Sequence, residues 1–173
     1  MRLRTISSAQ VSGLCIGGNP FSGFSHQGPK RNREMLDYHT PERIHEVLRS
    51  AENHGINTFF GRTDGHTFKV LGDYWQEGGQ IQWFAQVCIE RGDPDAWRQW
   101  LAGAVELGCT GAYIHGGVVD NWHATERWDL FAEALGRMRE DDVALIGVFL
   151  KDDPDLIAVD IDLFDEHVDA VLA

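Results

Sequence analysis

A chain of 173 residues, 43% of them apolar, can bury one sizeable core and is too short for two comfortable domains, so 1–173 reads as a single domain. Its 27 acids against 15 lysines and arginines leave a net charge of -12, which repels nucleic-acid phosphate and anionic headgroups and argues against nucleic acid or a membrane surface as partners. The imbalance is local, with 11 acids and one base in 140–173 but four acids and seven bases in 1–50, so any anion-binding role is expected in the first half.

The start MRLRTISSAQ has no long apolar segment, which gives neither a secretory signal nor a membrane span. Cys15, Cys88 and Cys109 are odd in number and widely spaced, suggesting no disulfide framework and fitting a reducing cytoplasm. The first apolar run of strand length is Val11 to Ile16. A long loop over 18–40 follows, with His26, Lys30, Arg31, Arg33 and Tyr38, either a lid over an anionic substrate or merely a solvated charge cluster.

Thr40-Pro41-Glu42 then writes a helix start: a side-chain oxygen to accept an unpaired amide, a proline with no amide to waste, and an acid facing the positive end of the dipole. The device recurs at Asp93-Pro94-Asp95 and Asp153-Pro154-Asp155. Behind the first start, Ile44, Val47, Leu48 and Ala51 recur at helical spacing up to Gly55; behind the second come Trp97, Trp100, Leu101 and Ala104, up to Gly108. Phe68, Leu71 and Trp75, and later Phe131, Ala134, Leu135 and Met138, make two further stripes. Between them lie strand-length runs at Ile56 to Phe60, Ile81 to Val87, Ala112 to His115, Val143 to Leu150 and Val168 to Leu172. Strands alternating with helices over units of roughly 25 to 33 residues predict right-handed crossovers and an α/β fold with a parallel sheet.

Three segments, RLRTISSAQVSGLCIGGNPFSG, TPERIHEVLRSAENHGINTFF and HTFKVLG, resemble the first third of the aldo-keto reductases, covering residues 1 to 72 by motif. A further likeness is to uncharacterised bacterial barrels of similar pattern. The resemblance implies a parallel (β/α) TIM barrel, of which this chain would hold about strands one to six, because such barrels need roughly 250 residues. It also implies a short N-terminal hairpin and a catalytic Asp, Tyr, Lys and His. His115 falls on the family's histidine, Phe60 stands at the Asp, Gln86 at the Lys, and no Tyr lies between Gly61 and Asp73. A Phe and a Gln cannot supply the proton that hydride transfer to a carbonyl requires, which argues against ordinary carbonyl reduction. NADP would bind only with the last strands supplied, and neither G-x-G-x-x-G nor a P-loop occurs.

Barrels gather functional groups at the C-terminal ends of their strands, here Asn19, then Arg62, Asp64 and His66, then Gln86 and Glu90, then His115, then Lys151. Along one strand Ile81, Trp83, Ala85 and Val87 form an apolar face, which turns Gln82, Phe84 and Gln86 the other way, toward a lumen. Arg62, Asp64 and His66 can bind an anion and move a proton, or else Asp64 caps the following helix while the other two are solvated. His115 can serve as acid, base or electrophile, or as a hydrogen-bonded structural group, and Gly116-Gly117 allows either close approach to a ligand or a tight turn. A metal on His66, His115 and Glu90 has no close ligand pair behind it.

The leading expectation is therefore a reductase-like barrel acting on a small polar or anionic molecule through His115, Arg62, Asp64 and His66, with Asn19, Gln86 and Lys151 binding substrate. Its chemistry would be that of an oxidoreductase or of an acid–base lyase or isomerase. The alternatives are an NADP-dependent oxidoreductase with altered proton donors in a longer parent chain, and a non-catalytic interaction module. An incomplete barrel would also leave open edges and associate with itself through them.

Overall fold

The computed structural model describes residues 2–6, 8–88, 95–140 and 146–148. Two strands, β1 (Leu3–Ile6) and β2 (Ala9–Ser12), pair as an antiparallel hairpin. There follow β3 (Ile16–Gly17), α1 (Pro29–Tyr38), α2 (Pro41–Asn53), β4 (Thr58–Arg62), α3 (Gly65–Gln76), β5 (Gln82–Val87), α4 (Ala96–Leu107), β6 (Gly111–Ile114), α5 (Gly116–Ala124), α6 (Trp128–Glu140) and β7 (Ile146–Val148). Strands β3 to β7 form one sheet, parallel throughout and in chain order, so the fold is α/β with no reversal of strand order among the described strands.

Local chemistry explains most of the boundaries. Helix α2 starts where Thr40 Oγ1 accepts from the Arg43 amide at 3.4 Å with Pro41 in the first turn. It stops at Gly55, whose φ of 78° lets the Gly55 and Ile56 amides turn back to the carbonyls of Glu52 and Ala51. The same reversal ends α3 at Gly78 and Gly79, and α4 at Gly108 and Cys109. Each of these three helices buries one stripe: Ile44, Leu48 and Ala51 from α2, Val70 and Leu71 from α3, Trp97, Leu101 and Ala104 from α4. These meet Phe59, Trp83, Ala85, Val87, Ala112 and Ile114 on one face of the sheet, forming the main core.

The other face is built by strand alternation. Phe84 joins Ala9 and Val11 of the hairpin in a second, smaller cluster, with Ile6, Cys15 and Phe60 packed against it. Polar stitching fixes the hairpin across the N-terminal ends of β4 and β5. Asn57 Oδ1 accepts from the Ser12 amide at 2.8 Å, while Asn57 Nδ2 and Gln82 Nε2 donate to the Gln10 carbonyl at 2.8 and 2.7 Å. That end of the sheet is thereby covered.

Several expectations need correcting. The run Val11 to Ile16 is two strands, because Gly13 donates back to the Arg2 carbonyl and closes the hairpin before the chain enters β3. The loop over 18–40 contains α1, a helix with no buried residue, whose sequence carries no apolar stripe to announce it. Gly116 and Gly117 open α5 rather than making an isolated turn. Helix α4 is capped by Asp95 without a side-chain cap bond, since the Asp95 carboxylate pairs with Arg98 instead. Asp93-Pro94, Asp153-Pro154-Asp155 and the run Val168 to Leu172 lie outside the described residues.

A three-residue cluster ties α4 to α6. Glu133 accepts from Arg98 Nε at 2.7 Å and from Arg137 Nε at 2.9 Å, and this holds its carboxyl down at about 2, with the Arg98 hydrogen bonds as the chief cause. A carboxylate whose folded pKa is depressed contributes stability that is present above its unfolded pKa and is lost as pH falls toward the folded one. The melting temperature is thus expected to decline as pH falls from about 4.5 to about 2, and Glu133→Gln to flatten part of that decline. Thermal melts of both proteins across this window check it; parallel curves would contradict the assignment.

Candidate functional site

Parallel register sorts the residues on the second face of the sheet into rows. Arg62 of β4 pairs with Gln86 of β5, and Gln86 with Tyr113 of β6, so these three lie level across adjacent strands. Asn19, two residues beyond the Gly17 to Phe60 pairing, falls level with Arg62. One step below are Phe60 and Phe84, in register and stacked at 5.0 Å, with the Tyr113 ring 6.1 Å from Phe60. One step above, just past the strand ends, come Asp64, Cys88 and His115. A polar layer therefore rests on an aromatic floor.

Above that floor opens a cleft of about 400 Å³, lined by Asn19, Phe24, His26, Arg62, Gln86, Cys88, His115, Gly117 and Val118. The segment between β3 and α1 supplies the lid side. Its His26 holds a left-handed φ of 56°, which an L side chain rarely adopts and which the neighbouring structure must impose. Phe24 lies flat against the Arg62 guanidinium, with Cζ 4.4 Å from the ring centre.

Arg62 and Asp64 form an ion pair at 3.3 Å, with side chains 23% and 24% exposed. The pair is out of line for a hydrogen bond, and buried Nε of Arg62 has no hydrogen-bond partner among the described residues. Asp64 spends its other oxygen as the N-cap of α3, accepting from the Thr67 amide at 2.7 Å. Asp64 thus caps α3, as one of the two sequence expectations has it, while Arg62 is paired with it rather than solvated. Asp64→Ala is expected to cost about 1 kcal/mol of stability through the lost cap, whereas Asp64→Asn retains the cap and removes only the charge beside Arg62. Urea denaturation of the two variants separates the roles; equal losses would show that the charge, not the cap, carries the stability.

His115 ends β6 and caps α5, its Nδ1 accepting from the Gly117 amide at 3.1 Å. A ring nitrogen that accepts carries no proton, so the ring proton sits on Nε2 and makes that atom a donor. A Cβ at Gly117 would lie 3.2 Å from the imidazole, so a larger residue there would press the ring a few tenths of an ångström aside. Burial pushes the Cys88 thiol above its ordinary range, opposed by the charge of Arg62, so it is a weak donor and not a thiolate. Burial, with the nearby Cys88 adding to it, likewise raises the Tyr113 phenol to about 12, against a lowering hydrogen bond with Gln86.

Of the residues expected from sequence, the structure brings Asn19, Arg62, Gln86 and His115 to one cleft and holds Asp64 against Arg62. It does not bring His66 there. The turn into α3 carries that ring, exposed, to an apolar crevice beside Phe21, Ile44 and Leu48. Lys151 and Glu90 lie outside the described residues, and among the described ones no group of three or more His, Cys, Asp or Glu is placed to hold a metal ion. No protein-family model and no curated protein matches this sequence. No helix among the described residues is long and apolar enough to cross a membrane.

Two residues of this layer escaped the sequence reading, Cys88 in the cleft wall and Tyr113 beside Gln86. The signal was available: each stands two positions from a residue already singled out, Gln86 and His115, and positions two apart on a strand share a face. Phe24 had no such signal, because only the fold of the loop sets it on Arg62.

Proposed function

We propose that the chain is a (β/α) barrel of the aldo-keto reductase type that acts on a small polar or anionic molecule at the C-terminal mouth of its strands. The observation that carries this reading is the convergence of Asn19, Arg62, Gln86 and His115, from the ends of β3, β4, β5 and β6, on one cleft of about 400 Å³. Consecutive strand order, an inner face of aromatic and polar rows, and a hairpin ahead of the first strand support the barrel.

In this reading the Nε2–H of neutral His115 hydrogen-bonds to a substrate oxygen and stabilises the charge it gains without leaving the ring. Water in the cleft takes up and returns the proton of the neighbouring carbon, and Arg62 anchors the far end of the molecule. Gln86, held by Tyr113, and Asn19 orient what lies between. The chemistry is acid–base work at a carbonyl or hydroxyl group, in the manner of a lyase or isomerase. The dinucleotide of the reductases does not fit the residues present. It carries three phosphates, and among the described residues lining the cleft Arg62 is the only lysine or arginine. No step is routed through it.

The test is a screen of small hydroxy and oxo compounds in deuterated water, following exchange of the hydrogen next to the carbonyl by proton NMR. Compounds that exchange are expected to shift the amide resonances of Asn19, Gln86 and Gly117, and His115→Phe to abolish exchange while the melting temperature holds. Exchange that survives His115→Phe, or shifts confined to other surfaces, would count against the reading.

A further inference from the structure

We infer that the cleft is built for a planar monoanion, a carboxylate, seated on Arg62; the inference rests on the cleft being a binding site. The decisive feature is a cationic donor without an acceptor. Arg62 Nε is buried and, among the described residues, makes no hydrogen bond, while its ion-pair partner, Asp64 Oδ2 at 3.3 Å, lies out of line. A buried charged donor left unpaired is costly, and a carboxylate oxygen entering from the cleft relieves it.

Geometry and charge narrow the class further. The Phe24 ring centre lies 4.4 Å from Arg62 Cζ, an apolar neighbour that takes none of its donors, and the guanidinium fork matches the spacing of two carboxylate oxygens. Asp64 already offsets part of the Arg62 charge. His115 is neutral, because its Nδ1 accepts from the Gly117 amide. Arg62, with Asp64 beside it, is the one arginine or lysine of the described wall, which suits a monoanion better than a doubly charged phosphate. Asn19, Gln86 and the Nε2 proton of His115 supply neutral polar contacts for the rest of the molecule. A short hydroxy or oxo acid has this combination of groups.

The experiment uses the whole chain with four probes: lactate and pyruvate as carboxylates, lactamide as the neutral counterpart, and inorganic phosphate. Each is titrated while the Arg62 Nε–H resonance and the cleft amides are followed by heteronuclear NMR. The carboxylates are expected to shift Arg62 Nε–H and to bind at least about tenfold tighter than lactamide. Arg62→Gln should erase that difference, and Arg62→Lys, which keeps the charge and loses the fork, should retain only part of it. Thermal melts of both variants show whether they fold.

If lactamide binds as well as lactate while still shifting Gln86 and Gly117, the carboxylate inference is overturned and the binding cleft stands. Phosphate binding tighter than lactate overturns it through the charge argument. No shift at the cleft with any probe overturns the inference and the functional reading together.

Discussion

Trp83→Ala is expected to lower the unfolding free energy by about 3–5 kcal/mol, a fifth or more of the roughly 5–15 kcal/mol that a domain typically has. The indole is wholly buried between the sheet and α3, 5.6 Å edge-on from Phe68, and its Nε1 donates to the Gly61 carbonyl at 2.9 Å. Truncation leaves both a large void and an acceptor without its donor, and neither can be repaired by a shift of one side chain. Trp83→Phe keeps most of the apolar volume and should cost less than half as much. Urea denaturation of the two variants decides the matter, and a loss below 1 kcal/mol for Trp83→Ala would mean that the sheet collapses into the space.

Gly18→Val is expected to strike stability and the cleft together. A Cβ at this buried position would lie 2.9 Å from the Gly61 Cα, 3.0 Å from the Phe59 ring and 3.2 Å from the Phe60 carbonyl. Two of those three neighbours are backbone, so relief comes only by pushing β3 away from β4. That breaks the 2.8 Å bond from the Gly18 amide to the Phe60 carbonyl and moves Asn19, the next residue, off the wall of the cleft. The cost is about 1–3 kcal/mol, with faster hydrogen exchange of the Gly18-site amide and loss of ligand-induced shifts at Asn19. Gly17→Ala is the control, because nothing lies within 4 Å of its Cβ. A Gly18→Val protein matching wild type in stability and exchange would contradict the close approach.

The parts of the fold that could be read from sequence are those governed by local rules. Thr40 caps α2 and Gly55 ends it because one hydroxyl and one left-handed backbone suffice, whatever packs around them. Alternation along β5 separated Trp83 from Gln86 for the same reason. What failed to be legible depends on partners distant in sequence. Helix α1 has no stripe to detect, and the glycines opening α5 hide a helix whose Val118, Val119 and Trp122 are buried. His66 stood within five residues of Arg62 and suggested a trio, yet a strand followed by a helix turns its direction, and nearness along the chain did not become nearness in space. Arg62 and Phe24 show the converse, an intimate contact across 38 positions that no local pattern announces.

The hairpin stitched over the N-terminal ends of β4 and β5 has a kinetic consequence. With that end covered, a ligand reaches the cleft from the C-terminal ends of the strands, through a doorway that Phe24 and His26 flank among the described residues. A change that only narrows the doorway slows arrival and departure by the same factor, so residence time lengthens while affinity stays fixed. A change inside, at Arg62 or His115, alters departure alone. Kinetics at the two ends of one short corridor would then tell threshold from chamber, which equilibrium titration does not.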